Sequence, residues 1–149
     1  MKILFVCTGN VSRSCMAEAM LNFKCIDIKA FSKGIAISPN SKVDKNLAKV
    51  IKDNLNIDIS NRKAVQLTVK DVEEADLVFT MTSYVKELLI SNLSQYENKI
   101  FSLTQYIGED KDIIDSVGGT IEDYEKTYFM LDKYIISLIE KLKEDKNIT

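Results

Sequence analysis

The chain has 149 residues, 46% of them hydrophobic and 28% charged, which is enough to bury the core of one ordinary soluble domain spanning 1–149. A net charge of −2 supplies no basic field for nucleic acid or an anionic membrane, and no segment has the uninterrupted apolar length of a membrane span. Histidine is absent, which excludes Ser-His and Cys-His hydrolases, histidine-bound metals and histidine acid–base catalysis.

"KILFV" (2–6) reads as a buried strand closed by the Gly9-Asn10 turn signal. From Ser14 the pattern turns helical, with Met16, Ala19, Met20 and Phe23 at spacings of three and four. A second strand, 28–35, leads into a loop around Ser38-Pro39-Asn40, and a helix from Val43 to Leu55 carries Leu47, Val50, Ile51 and Leu55 on one stripe. Thr68 followed by Asp71 resembles a helix start. "DLVFTM" (76–81) is a third strand, with Ser83 placed to cap a helix through Leu93, and "KIFSL" (99–103) is a fourth. After the polar loop "IGEDKDIIDSVGG", Thr120 and Asp123 imitate a capping box. The helix they open has the core stripe Ile121, Tyr124, Tyr128, Leu131, Ile135, Leu138 and Leu142, and an end, "KLKEDKNIT", that is expected to fray. Strands alternating with helices predict a single doubly wound α/β domain, a four-stranded parallel sheet with helices on both faces. Such folds hold ligands beyond the carboxyl ends of their strands, where residues 7–13 and the loop after the fourth strand belong.

The stretch "VCTGNVSRS" (6–14) carries the chemistry. A loop between a strand and a helix N-terminus gathers backbone N–H groups and a helix dipole at one place, an anion cradle. Gly9 and Asn10 tolerate the unusual backbone that such a cradle requires. Arg13, one of only two arginines, adds a planar fork that grips two phosphate oxygens, as a lysine cannot. The same positive field favours the nucleophilic thiolate of Cys7. Nucleophile and cradle in one loop suit attack on phosphorus through a phosphocysteine. The three cysteines, Cys7, Cys15 and Cys25, form no CxxC pair, which fits a reducing compartment, with Cys25 as a buried filler. "MKILFVC" is too short and too soon polar for a signal peptide, so a cytoplasmic protein is expected.

"CTGNVSRS" followed by "MAEAM" resembles the signature of the low-molecular-weight protein phosphatases, which hydrolyse phosphotyrosine or, in one bacterial branch, phosphoarginine. The likeness extends through "FSKG", "NIDIS", "ADLVFTM" and "DSVGGTIEDY" in order. It implies Cys7 as nucleophile and Arg13 as phosphate clamp, with Thr8, Gly9, Asn10, Val11 and Ser12 completing the phosphate-binding loop. It also implies that Asn10 and Ser14 hold that loop, with the Ser14 hydroxyl near the sulfur and Ser32 supporting Asn10 from below. The family's general acid is the aspartate of an Asp-Pro pair, which matches Asp115, with Asp110 and Asp112 as nearby rivals that read as solvated loop charges. The implied substrates are phosphorylated proteins or peptides, with no cofactor and no metal.

Four positions depart from the family pattern. Ser12 stands where many relatives have a second, protective cysteine. Cys15 stands in place of a helix-starting proline, either as a resolving thiol or as an inert residue. Ser116 replaces the proline of Asp-Pro. Arg62 replaces a common histidine and either pairs with a carboxylate or lies on the surface. Aliphatic Val11 points to phosphotyrosine, whereas "CTGN" and "GGTIEDY" lean to the phosphoarginine branch. An arsenate reductase of this fold would need cysteines after the third strand, and residues 82–100 contain none. A phosphocysteine carrier has no need of both Arg13 and an acid loop, and a non-catalytic phosphopeptide-binding module has no need of Asp115.

Overall fold

The computed structural model describes residues 1–113 and 118–146. Its strands are β1 (Lys2–Cys7), β2 (Lys29–Gly34), β3 (Leu77–Thr80) and β4 (Ile100–Ser102). They form one parallel sheet in the order β2-β1-β3-β4. The helices are α1 (Arg13–Lys24), α2 (Lys45–Leu55), α3 (Val69–Glu74), α4 (Ser83–Asn92), α5 (Leu103–Tyr106) and α6 (Ile121–Lys146), with a 3-10 turn at Ser94–Lys99. The strand register pairs Cys7 with Gly34 and Val6 with Thr80, so three strands end together at the edge from which the Cys7 loop departs.

The period-two alternation of β1 divides the core. Ile3, Phe5 and Cys7 face the cluster made with α1, α2 and α6, whereas Leu4 and Val6 join Val72, Val85 and Leu89 from α3 and α4. Helices therefore cover both faces. The α6 stripe delivers Tyr124, Leu131, Ile135, Leu138 and Leu142 at 0% exposure, each leucine contributing about 2 kcal/mol by burial. Cys25 is a buried member of the same cluster.

Local chemistry sets the helix starts. Asp44 caps α2 by accepting from the Asn46 N–H (2.8 Å). Thr68 with Asp71 and Thr120 with Asp123 each close a reciprocal capping box. Thr82, not Ser83, caps α4, accepting from the Val85 N–H, because Ser83 is already the first helical residue. Phe23, three residues after the fully buried Met20, is 55% exposed and so stands outside the core stripe of α1. Helix α6 continues through "KLKEDK" to Lys146, and the rest of the end expected to fray, 147–149, lies outside the described residues. Tyr106 donates to Asp145 (3.0 Å), Lys141 pairs with Asp145, and the Lys141 ammonium sits over the Tyr106 ring. Among the described residues, no helix is long and apolar enough to cross a membrane.

Candidate active site

Six residues of β1 run directly into the loop, and α1 begins at Arg13, so residues 8–12 bridge a strand end and a helix N-terminus. Asn10 adopts the left-handed backbone (φ 56°), the conformation its short polar side chain tolerates. Gly9 does not: its φ is not positive, and a Cβ there would meet only Val11 Cγ2, at 3.8 Å. The glycine this loop needs is Gly34. A Cβ on Gly34 would lie 2.7 Å from the Thr8 carbonyl and 3.0 Å from Asn10 Cβ, so the end of β2 has to be bare where the loop crosses it. Past Gly34 the chain continues to clamp the loop, with Ile35 N–H on the Cys7 carbonyl and Ala36 N–H on the Thr8 carbonyl, both at 3.0 Å.

Cys7 is buried, and its sulfur shares a 2.8 Å hydrogen bond with Ser14 Oγ while accepting from the Asn10 N–H at 3.2 Å. The N–H groups of Gly9, Val11 and Ser12 find no acceptor among the described residues, so donors accumulate in the loop. Ser12 is buried and occupies the cap position of α1 without a capping hydrogen bond. Arg13 is 7% exposed and donates through Nη1 to the Ile113 carbonyl at 3.3 Å. Thr8 is exposed and Val11 half-buried, the Val11 carbonyl accepting from the Asp44 N–H at the start of α2 (3.2 Å).

Beneath the loop lies a polar cluster built around the Asn10 side chain. Its Nδ2 donates to Ser14 Oγ (2.9 Å) and Ser32 Oγ (3.0 Å), and its Oδ1 accepts from the Val65 N–H (2.9 Å) and from Arg62 Nη1 (3.3 Å). Ser32 Oγ in turn donates to Glu18 Oε1 (3.0 Å). Arg62 is the hub of the cluster. Nη2 reaches Ser32 Oγ at 2.7 Å and Glu18 at 3.3 Å, and Nη1 donates to Cys15 Sγ at 3.0 Å. Of the two readings of Arg62, pairing with a carboxylate is the one realised, through Glu18. Sequence reasoning did not assign Glu18 at all, although it lies one helical turn after Ser14 and four residues after it, on the loop side of α1.

Cys15 donates its thiol hydrogen to the Asn10 carbonyl (3.1 Å). Burial pushes this thiol up to about 12, outweighing the attraction of Arg62 for the charged form. It is therefore a neutral bridging group. The rival acid Asp112 is exposed, as a loop charge should be, and it also accepts from Ser83 N–H (2.9 Å) and Ser83 Oγ (3.2 Å) at the start of α4. Asp110 is exposed. Asp115 lies outside the described residues, as do Ser116 and Val117. Among the described residues, no group of three or more carboxylate or cysteine side chains is placed to hold a metal ion.

Residues 2–148 match the low molecular weight phosphotyrosine protein phosphatase family. A protein-arginine-phosphatase of Bacillus subtilis (strain 168) is 35% identical, over 98% of this chain and 99% of that protein. A low molecular weight protein-tyrosine-phosphatase, PtpB, of Staphylococcus haemolyticus is also 35% identical, over 96% and 98%. The crystal structure of a low molecular weight protein tyrosine phosphatase from T. tengcongensis superposes with a TM-score of 0.90 at 38% identity, covering 95% of this chain and 99% of that one.

Proposed function

Because the chain belongs to the low molecular weight phosphotyrosine protein phosphatase family, we propose that it hydrolyses phosphotyrosine in proteins through a phosphocysteine at Cys7. The observation that carries this reading is the placement of the Cys7 sulfur, met by Ser14 Oγ and the Asn10 N–H inside a loop rich in backbone donors. Those donors suit a sulfur that bears negative charge, the form that attacks phosphorus. Arg13 and the loop amides hold the phosphoryl oxygens and meet the charge that gathers on them in the transition state.

The first step forms a sulfur–phosphorus bond and breaks the bond from phosphorus to the tyrosyl oxygen. The departing oxygen takes a proton, which we assign to Asp115 because it matches the aspartate of the family's Asp-Pro pair, in a chain with no histidine to do the same work. In the second step Asp115 takes a proton from water, which attacks phosphorus and releases phosphate and the thiolate. Cys7→Ser tests the covalent step. It should abolish hydrolysis of p-nitrophenyl phosphate while vanadate still binds through Arg13 and the amides; substantial turnover by Cys7→Ser would refute the mechanism.

A second reading, phosphoarginine as substrate, is favoured by the likeness to the Bacillus subtilis protein-arginine-phosphatase. Side-by-side kcat/KM values on phosphotyrosine and phosphoarginine peptides decide between them. We take residues 1–149 as one catalytic domain and place it in the cytoplasm, in keeping with three cysteines that are all free.

A further inference from the structure

The segment after α5 returns to the carboxyl edge of the sheet through two consecutive residues, each fixed to a different element. Asp112 accepts from the backbone N–H and the hydroxyl of Ser83, satisfying one of the amides left open at the start of the ten-residue helix α4. A carboxylate at that position also meets the positive end of the helix dipole. The next residue, Ile113, is 1% exposed and donates its N–H to the Met81 carbonyl at 3.2 Å, just past β3. Its own carbonyl accepts from Arg13 Nη1.

A guanidinium at the end of a flexible stem grips two phosphate oxygens more tightly when its plane is set beforehand, because less side-chain freedom is lost on binding. A carbonyl on one Nη can set that plane if the carbonyl itself cannot move. Ile113 cannot move without leaving its buried site and the Met81 bond, and Asp112 cannot move without releasing the start of α4. We propose that the Ser83–Asp112 pair is a clasp that positions Arg13 through the Ile113 carbonyl. The proposal rests on the reading of Arg13 as the phosphate clamp. Asp112 is then a positioning residue rather than a proton donor, and the N-terminus of α4 is mechanically part of the oxyanion site.

Vanadate is the probe, since it binds as a phosphate-like oxyanion and has no leaving group to protonate. In Asp112→Ala its inhibition constant should rise about tenfold, with an equal fall in kcat/KM for aryl phosphates whatever the basicity of the leaving group. Asp112→Asn keeps an oxygen for the Ser83 N–H and should recover most of the loss. Ser83→Ala should show a smaller loss, and adding it to Asp112→Ala should cost nothing more. Glu109→Ala, on the same loop, controls for general disturbance. Unchanged vanadate affinity in a folded Asp112→Ala would overturn the clasp. So would a loss confined to kcat that grows with leaving-group basicity, the mark of Asp112 as the acid itself. If Asp112→Ala does not fold, Ser83→Ala carries the readout by itself, and unchanged vanadate affinity in that variant would overturn the clasp. A wild-type protein that binds vanadate but hydrolyses no phosphomonoester would sink the phosphatase reading and still leave the clasp measurable.

Discussion

Arg62 donates to the sulfur of Cys15 at 3.0 Å, and both residues also bond Asn10, one at its side-chain oxygen and the other at its backbone carbonyl. The two residues thus meet on the one residue of the loop with left-handed backbone.

Removing the hub exposes its weight. Arg62→Ala leaves Glu18 without its cation, and Asn10, Ser32 and Cys15 each lose a donor. Because the pair is only partly exposed, unfolding free energy should fall by about 1.5–3 kcal/mol, the range for hydrogen bonds to charged groups. Arg62→Lys should not restore it, since one ammonium cannot reach both sides of the cluster. Urea unfolding of the two variants, alongside kcat/KM on p-nitrophenyl phosphate, checks this; a fully stable and active Arg62→Ala would show the cluster to be idle.

Cys15 predicts a response to alkali. Its thiol ionises near 9.0 in an ordinary setting and at about 12 in the fold, so between those values the folded chain holds a proton that the unfolded chain has lost. The stability this confers is complete below the unfolded value and is lost as pH rises through the window. Cys15→Ser, which does not titrate there, should flatten the decline relative to wild type, as urea midpoints on either side of pH 9 would reveal. In the native protein, iodoacetamide at neutral pH should label Cys7 and spare Cys15. For the same reason peroxide should inactivate Cys7 without a rapid Cys7–Cys15 bridge, and peptide mass spectra that show one would contradict it.

Proton delivery is tested at Asp115. Asp115→Asn should slow phenyl phosphate by roughly 10²–10⁴-fold, the range for a lost general acid, and slow substrates with acidic leaving groups far less. An equal loss across leaving groups would move the acid elsewhere in the protein.

Val11, half-buried in the loop beside Gly9, is the residue at which substrate choice is tested. A phosphotyrosine ring packs against an aliphatic side chain at little cost, whereas a guanidinium brings N–H groups that need acceptors. A missing acceptor costs about 1–3 kcal/mol, or about ten- to a hundredfold in preference. Phosphotyrosine peptides should therefore show the higher kcat/KM, and Val11→Thr should shift the ratio towards phosphoarginine. A wild-type preference for phosphoarginine would remove Val11 as the selector.

The four strands and the strand–loop–helix around Cys7 are legible because each is a local pattern: an unbroken apolar run in β1, three- and four-residue spacing in α1 and α6. The α4 cap was misread because Thr82 and Ser83 are adjacent hydroxyls, and the choice between them is made by Asp112, 29 residues on. Arg62 illustrates the same limit more sharply, since its partners Asn10, Cys15, Glu18 and Ser32 lie 30 to 52 residues away. Nothing in the sequence around "SNRKAV" encodes that convergence. Gly34 falls inside the predicted strand 28–35, and its need for a bare Cα emerges only from the crossing of the loop over it.

That crossing has a thermodynamic consequence. The loop takes its shape from the sheet edge on one side and from the Asn10 amide on the other, with both ends of that amide already bonded to protein groups. An arriving oxyanion therefore meets donors already arrayed, with little chain left to order and little apolar surface left to bury. Its binding should register in a calorimeter as an enthalpic event with a heat-capacity change near zero, the signature of a rigid receptor rather than of a loop that folds around its guest.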